Sequence, residues 1–349
     1  MNPDFKQELF RISDRETFSA AALEVFHFQS TSVPVYRDYL NALKVEPEKV
    51  STLEEIPFLP VEFFKSHRVI AEGMEAEEVF ESSGTTGSTS ASTTGSTSVD
   101  TSARTPGGTT SHHYVADAAL YRESFLRSFN RFYGSPEERC ILALLPSYME
   151  RSGSSLVYMM DQMIKWSGHP DSGFYLENLE ELSAILKKRN SDGHPTLLLG
   201  VSFALLELAE RHPLQLGGHI KVMETGGMKG RRKELVRGEL HEILTGAFGV
   251  PTIHSEYGMT ELLSQAYSRG EGIFHTPPWM DLLIRDPNDP LSLVGEGHTG
   301  GLNIIDLANL YSCSFIATGD LGKRFEDGSF EVLGRFDHSD IRGCNLLVS

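Results

Sequence analysis

Three short apolar runs constrain the fold more than anything else in this chain. They are Cys140-Ile-Leu-Ala-Leu-Leu145, Thr196-Leu-Leu-Leu199 and Ile220-Lys-Val-Met223. Each reads as a buried strand, and each is separated from the next by segments of helical period. Asp117 is placed to cap a helix carrying Leu120, Phe125, Phe129 and Phe132. Residues 154–166, 179–189, 202–211 and a basic stretch at 231–244 continue the helical pattern. Strand–helix alternation of this kind implies a largely parallel sheet with both faces covered. The last third reads differently. Residues 282–285, 301–306, 314–317 and 329–333 are strands with turns between them, which suggests a mixed or antiparallel β subdomain. The start is helical, with Leu9, Phe10, Phe18, Ala22 and Phe26 on a rough helical period. Ile56-Pro-Phe-Leu-Pro60 breaks that pattern, and a short helix and a strand ending near Phe80 follow. The expected organisation is α/β: a helical region at 1–75 packed on a core at 76–349.

Composition narrows the function classes. A net charge of −17 repels phosphate backbones and anionic lipid, so nucleic-acid and membrane-surface roles are not expected. No run of 18 apolar residues offers a membrane span, and MNPDFKQELF is no secretory signal. The cysteines are Cys140, Cys313 and Cys344, without CxxC spacing. That argues against a disulfide framework or a zinc site and for a reducing cytoplasm.

Between Ser88 and Ser111, 18 of 24 residues are Ser, Thr or Gly. Such a stretch buries too little apolar area to offset its ordering entropy, so a disordered insertion is expected there. The hexapeptide Thr-Thr-Gly-Ser-Thr-Ser occurs at 85–90 and again at 93–98. Ser82, Ser83, Gly84, Thr85, Thr86, Gly87 and Ser88 directly follow the apparent strand, and this first copy is the better phosphate cradle. Glycines let backbone N–H groups turn inward and hydroxyls add donors. Taken alone, such a run is more often a linker. No Lys follows Gly87, so it is not a Walker loop.

Two further segments carry candidate chemistry. In His254-Ser-Glu-Tyr-Gly-Met-Thr-Glu261, the glutamate can hold Mg²⁺ through oxygen ligands and Tyr257 can stack on a purine. The alternative is a strand running into a helix, with Glu261 as a first-turn charge. In Thr318-Gly-Asp320, an aspartate after a strand suits the two ribose hydroxyls, and the alternative is an ordinary turn. Arg335 and Arg342 can meet phosphate or carboxylate oxygens, or be plain surface arginines. The pair His112-His113 reads as surface. Ser202 reads as a helix N-cap, and Cys140 as core.

The three segments in this order resemble the adenylate-forming superfamily, over about residues 60–344. The matches are Ser82–Ser88, Tyr257-Gly-Met-Thr260-Glu261, Thr318-Gly-Asp320, Gly334-Arg335 and Glu224-Thr-Gly226-Gly227. A narrower resemblance is carried by LPSYMERSGSSLVYMM, ETGGMKGRR, HSEYGMTELLSQAYS and GRFDHSDIRGCNLL. These look like the LuxE-type family of long-chain acyl-protein synthetases. The resemblance implies the N-terminal-type fold of adenylate-forming enzymes, with ATP and Mg²⁺ as cofactors. It implies a fatty or other carboxylic acid as substrate, and Gly226 and Gly227 beside the adenine. It further implies acyl transfer to Cys344 and an acyl-thioester reductase or carrier as partner. The superfamily's C-terminal lid, with its catalytic lysine, is expected to be absent. Lys229, Arg231 and Arg232 are the candidates to replace that cation, against a solvated basic helix start. A ligase acting on coenzyme A, of the phenylacetate-CoA ligase type, and an inactive nucleotide-binding homologue are the alternatives.

Overall fold

The computed structural model describes residues 5–82, 110–146, 153–176, 178–226 and 235–336. The chain starts with helices α1 (Phe5–Leu9), α2 (Arg15–Ser32) and α3 (Pro34–Ala42), then β1 (Leu59–Pro60) and α4 (Phe63–Ser66). β2 (Glu78–Glu81) and β3 (His112–Val115) form a separate two-stranded ribbon. Next come α5 (Ala118–Tyr133), β4 (Cys140–Leu144), α6 (Ser155–Ser167), β5 (Gly173–Phe174), α7 (Leu179–Asp192), β6 (Thr196–Val201), α8 (Ser202–Arg211), β7 (Ile220–Thr225), α9 (Arg237–Phe248) and β8 (His254–Tyr257). The remainder is all strand: β9 (Ala266–Ser268), β10 (Ile273–His275), β11 (Met280–Arg285), β12 (Leu293–Val294), β13 (Thr299–Asp306), β14 (Phe315–Arg324) and β15 (Phe330–Arg335).

Local chemistry explains many of the boundaries. Asp14 caps α2 in a capping box with Thr17, and Asp117 caps α5 by accepting from Leu120 N. Ser154 and Asn178 cap α6 and α7 in the same way, and Gly168 and Gly193 end them in the left-handed conformation that glycine adopts without strain.

All the larger strands join one sheet in the order β12-β11-β13-β14-β15-β10-β9-β8-β7-β6-β4-β5. From β8 to β5 every pairing is parallel. From β9 to β12 every pairing is antiparallel, and β8 and β9 are the antiparallel join between the halves. β4 and β6 are buried at every residue, as expected for strands covered on both faces.

The first helices pack on the antiparallel half. Phe26, Tyr36 and Phe58 surround Phe315 of β14. The buried Gln29 amide donates to Asn309 O, Leu310 O and Ser314 Oγ and accepts from Ser314 N. β1 adds a short parallel strand to β14.

Three expectations need correction. β14 does not stop at Ala317 but runs to Arg324, so Asp320 lies inside a strand rather than after one. α9 is centred further on than 231–244, at Arg237–Phe248. Ser202 is no cap: Val201 holds that position, and the Ser202 hydroxyl crosses to Gly226 O at 2.5 Å. The helix that the alternative reading of Glu261 required does not follow: Thr260 and Glu261 form a turn. Among the described residues no helix is long and apolar enough to cross a membrane.

Candidate functional site

The parallel run ends at β8, whose last residue is Tyr257. In open α/β sheets ligands collect beyond the carboxyl ends of the strands. Here the antiparallel half brings its own side chains to that edge. Asp320 of β14 and Arg335 of β15 are directly paired across the ladder. Tyr257 Oη donates to Asp320 Oδ2 at 2.8 Å, and Arg335 Nε lies 3.3 Å from Asp320 Oδ1. The Tyr257 ring is buried, edge-on to Phe274 and Phe330. Burial, then the Asp320 charge, hold its hydroxyl well above the ordinary range, so it stays a donor. Arg335 is 66% exposed, leaving its remaining donors open to solvent. Asp320 is fixed from behind: its N–H donates to Thr318 Oγ1, and Arg285 Nη2 donates to Thr318 O at 2.5 Å. Gly301 makes room for that guanidinium, since a Cβ there would sit 2.3 Å from Arg285 Cζ.

Glu261 sits in the turn after β8 and is 6% exposed. Its Oε1 accepts from Ser111 Oγ at 2.5 Å. Burial raises its carboxyl above the usual range, the Ser111 bond opposes this, and the charges of Arg335 and Asp320 also act on it. Ser111 closes the base of the Ser/Thr/Gly loop. Ser82 N donates to Ser111 O at 3.0 Å, and Ser111 N donates to Ser82 Oγ at 2.9 Å. The start of the phosphate-loop motif and the end of the Tyr-Gly-x-Thr-Glu motif therefore meet through one serine.

At the end of β7, Gly226 turns with φ +70, a conformation that favours glycine. Two buried carboxylates lie close by. Burial pushes Glu224 up, but His241 and Arg237 outweigh it and hold the carboxyl below its usual range. Glu256 goes the other way: burial, with the Glu224 charge adding, lifts it to about 7 against the hydrogen bond from Thr225.

Of the residues assigned to the nucleotide and metal from the sequence, Ser82, Gly226, Tyr257, Thr260, Glu261, Asp320 and Arg335 are described. Tyr257, Asp320 and Arg335 are in direct contact, and Ser82 reaches Glu261 through Ser111. Thr260 presents its carbonyl to His113 at 2.8 Å. Ser83–Ser88, Gly227, Lys229, Arg231, Arg232, Arg342, Cys344 and most of the 88–111 insertion lie outside the described residues. Cys140 and Cys313 are buried, and burial pushes their thiols to about 11 and about 12, far from a reactive thiolate.

Sequence reading missed the residues that hold the Glu261 turn. His113 is not surface but 0% exposed. Asp306 is also fully buried and accepts from Leu263 N, Ser264 N and Ser264 Oγ at 2.6–2.9 Å. Asn309 Nδ2 donates to Glu261 O at 2.8 Å. The signal available for Asp306 was a carboxylate closing an apolar strand, since a buried charge needs donors. His113 alternates with Ser111 and Val115 on the inward face of β3, a period-2 pattern within Ser111–Val115.

Among the described residues no cluster of three or more His, Cys, Asp or Glu forms a metal cage.

No family model matches the chain, and no curated protein matches it. Solved structures do. ATP-bound MatB from Rhodopseudomonas palustris superposes with a TM-score of 0.51 at 16% identity, over 76% of this chain and 49% of that one. A 2-hydroxyisobutyryl-CoA ligase in an open conformation, with 2-HIB-AMP and CoA, gives 0.63 at 13% identity, over 93% and 70%. The same ligase in its thioesterification state gives 0.62 at 15% identity. The fold is that of the adenylate-forming acyl-CoA ligases. At these identities the likeness speaks for the fold alone. This chain spans about half the length of the MatB structures.

Proposed function

We propose that this chain activates a carboxylic acid with ATP and passes the acyl group to a thiol. The observation that carries the reading is the Tyr257–Asp320–Arg335 contact lying beside Glu261 and the base of a Ser/Thr/Gly loop. A carboxylate is a poor electrophile. Its attack on the α-phosphate of ATP forms an acyl–phosphate bond, breaks the bond to pyrophosphate, and leaves the acyl carbon joined to AMP as a good leaving group.

In this reading Asp320 accepts from the two ribose hydroxyls, each charge-assisted bond contributing about 1.5–3 kcal/mol. Tyr257 keeps that carboxylate oriented, and Arg335 offers its free donors to the nucleotide. Amides and hydroxyls of Ser82–Ser88 cradle the phosphates, with Gly226 and Gly227 at the adenine. Glu261 would hold Mg²⁺, which would supply charge neutralisation at the phosphates.

The finer assignment follows the sequence resemblance: a fatty acid as substrate, Cys344 as the thiol, and Lys229 as a cation at the reacting centre. An unperturbed thiol near pKa about 8.5 is only slightly ionised at neutral pH yet strongly nucleophilic. A second reading, transfer to coenzyme A, is favoured by CoA bound in the 2-hydroxyisobutyryl-CoA ligase of the same fold. Incubation with ATP, Mg²⁺ and labelled acids of several lengths separates the two. Label held on the protein, released by hydroxylamine and abolished by Cys344→Ala, supports the acyl-protein reading. Label that leaves only when coenzyme A is added supports the second.

A further inference from the structure

His113 lies at the centre of a hydrogen-bond clamp that no motif announces. Its Nδ1 is 2.8 Å from Thr260 O, and its Nε2 is 2.9 Å from Asn309 Oδ1. Both partners only accept, and the buried ring stays neutral with a single N–H, so it donates to one of them at a time. The orientation of Asn309 is fixed independently, because its Nδ2 donates to two carbonyls, Glu261 O at 2.8 Å and Cys313 O at 2.9 Å. Turning the amide over would set its oxygen against both of those oxygens. The ring is buried, edge-on to Phe64 at 5.8 Å. Two residues before it, just ahead of β3, Ser111 holds the Glu261 carboxylate itself. One stretch of chain thus grips the turn twice, through the side chain of Glu261 and through the carbonyl before it.

We propose that His113, together with Asn309, is a positioning residue for Glu261: the pair fixes the carbonyls of Thr260 and Glu261 and so sets where the carboxylate points. The catalytic part of this inference rests on the ligase reading above. The clamp does not touch the Tyr257–Asp320 contact, so its loss should spare nucleotide affinity and strike the step that depends on Glu261. Buried groups that aim a carboxylate act mostly through geometry, and small misplacement lowers rate sharply.

The test compares His113→Leu and His113→Gln with the unaltered protein. Amide hydrogen exchange at Thr260–Ser264 is read without turnover, and acid-dependent ATP–pyrophosphate exchange is read alongside. For the leucine variant the account expects amide exchange in the turn to rise about tenfold, with β4 and β6 unchanged. It expects kcat to fall about tenfold or more, the Mg²⁺ half-saturation to rise, and KM for ATP to stay within about twofold. Glutamine, which keeps an amide donor, restores part of kcat. Unchanged turn exchange and kcat in folded His113→Leu overturn the proposal, as does a loss shared equally with KM for ATP. If the leucine variant does not fold, the glutamine variant decides on the same readouts. An unaltered protein that shows no acid-dependent pyrophosphate exchange fails the ligase reading, and the catalytic role falls with it.

Discussion

In the parallel half of the sheet, β4 and β6 are buried at every position; in the antiparallel half, β14 alternates buried and half-buried residues, and β15 opens to solvent toward Arg335. The first pattern leaves no side chain free for chemistry along a strand, so the parallel half contributes what lies at its strand ends: Gly226 after β7, and Tyr257 and the Glu261 turn at and after β8. The second pattern admits polar groups on its buried face: Asp320 stands there, 7% exposed, with the exposed Arg335 of β15 as its ladder neighbour. The candidate site exists because these two ways of presenting groups meet at β8 and β9.

If that division holds, substitutions in the two halves should separate stability from nucleotide binding. Leu198→Ala, in the fully buried β6, is expected to have the largest effect, about 3 kcal/mol of stability lost through transfer and cavity terms. Urea denaturation reads this, and the folded protein that remains should keep its ATP affinity. Asp320→Ala should do the reverse: about 2–3 kcal/mol of ATP binding lost by calorimetry, with a smaller change in unfolding midpoint. Similar profiles for the two variants would erase the distinction between the halves.

A third prediction uses pH. Glu256 is at about 7 in the folded protein against a usual 4.5. The folded state therefore binds more protons than the unfolded chain between those values, and stability falls as pH rises through that window. Glu256→Gln removes this loss. The variant should gain stability relative to the unaltered protein on going from pH 4.5 to pH 8, by an amount on the order of 3 kcal/mol. His113 contributes the opposite slope. Burial, opposed by its bonds to Thr260 and Asn309, lowers it to about 4, so its contribution is complete above about 6.5 and lost as pH falls toward 4. The comparison of variant and parent isolates Glu256 from that background. A gain that does not change between the two pH values would contradict the burial assigned to this carboxyl.

Much of the parallel half was legible because runs such as Cys140–Leu144 carry a one-sided signal, apolar at every residue, and because Asp117 reads as a helix cap. The antiparallel half was legible in four of its strands, β11, β13, β14 and β15, but not in their lengths, and the short β9, β10 and β12 were not read. Thr318-Gly-Asp320 reads as a turn by local propensity, yet β14 continues through it because β13 and β15 pair on either side. That pairing is tertiary and leaves no local mark. Tyr257, Glu261, Asp320 and Arg335 were visible through their motifs. His113, Asn309 and Asp306 were not, since their importance lies in which backbone oxygens and amides they face across more than forty residues of chain.

The most direct test of the central claim is acid-dependent ATP–pyrophosphate exchange, measured on the unaltered protein and on Asp320→Ala across a panel of carboxylic acids. The account predicts exchange that requires both an acid and Mg²⁺ and that collapses in the variant. No exchange with any acid, or exchange that survives Asp320→Ala undiminished, would contradict it.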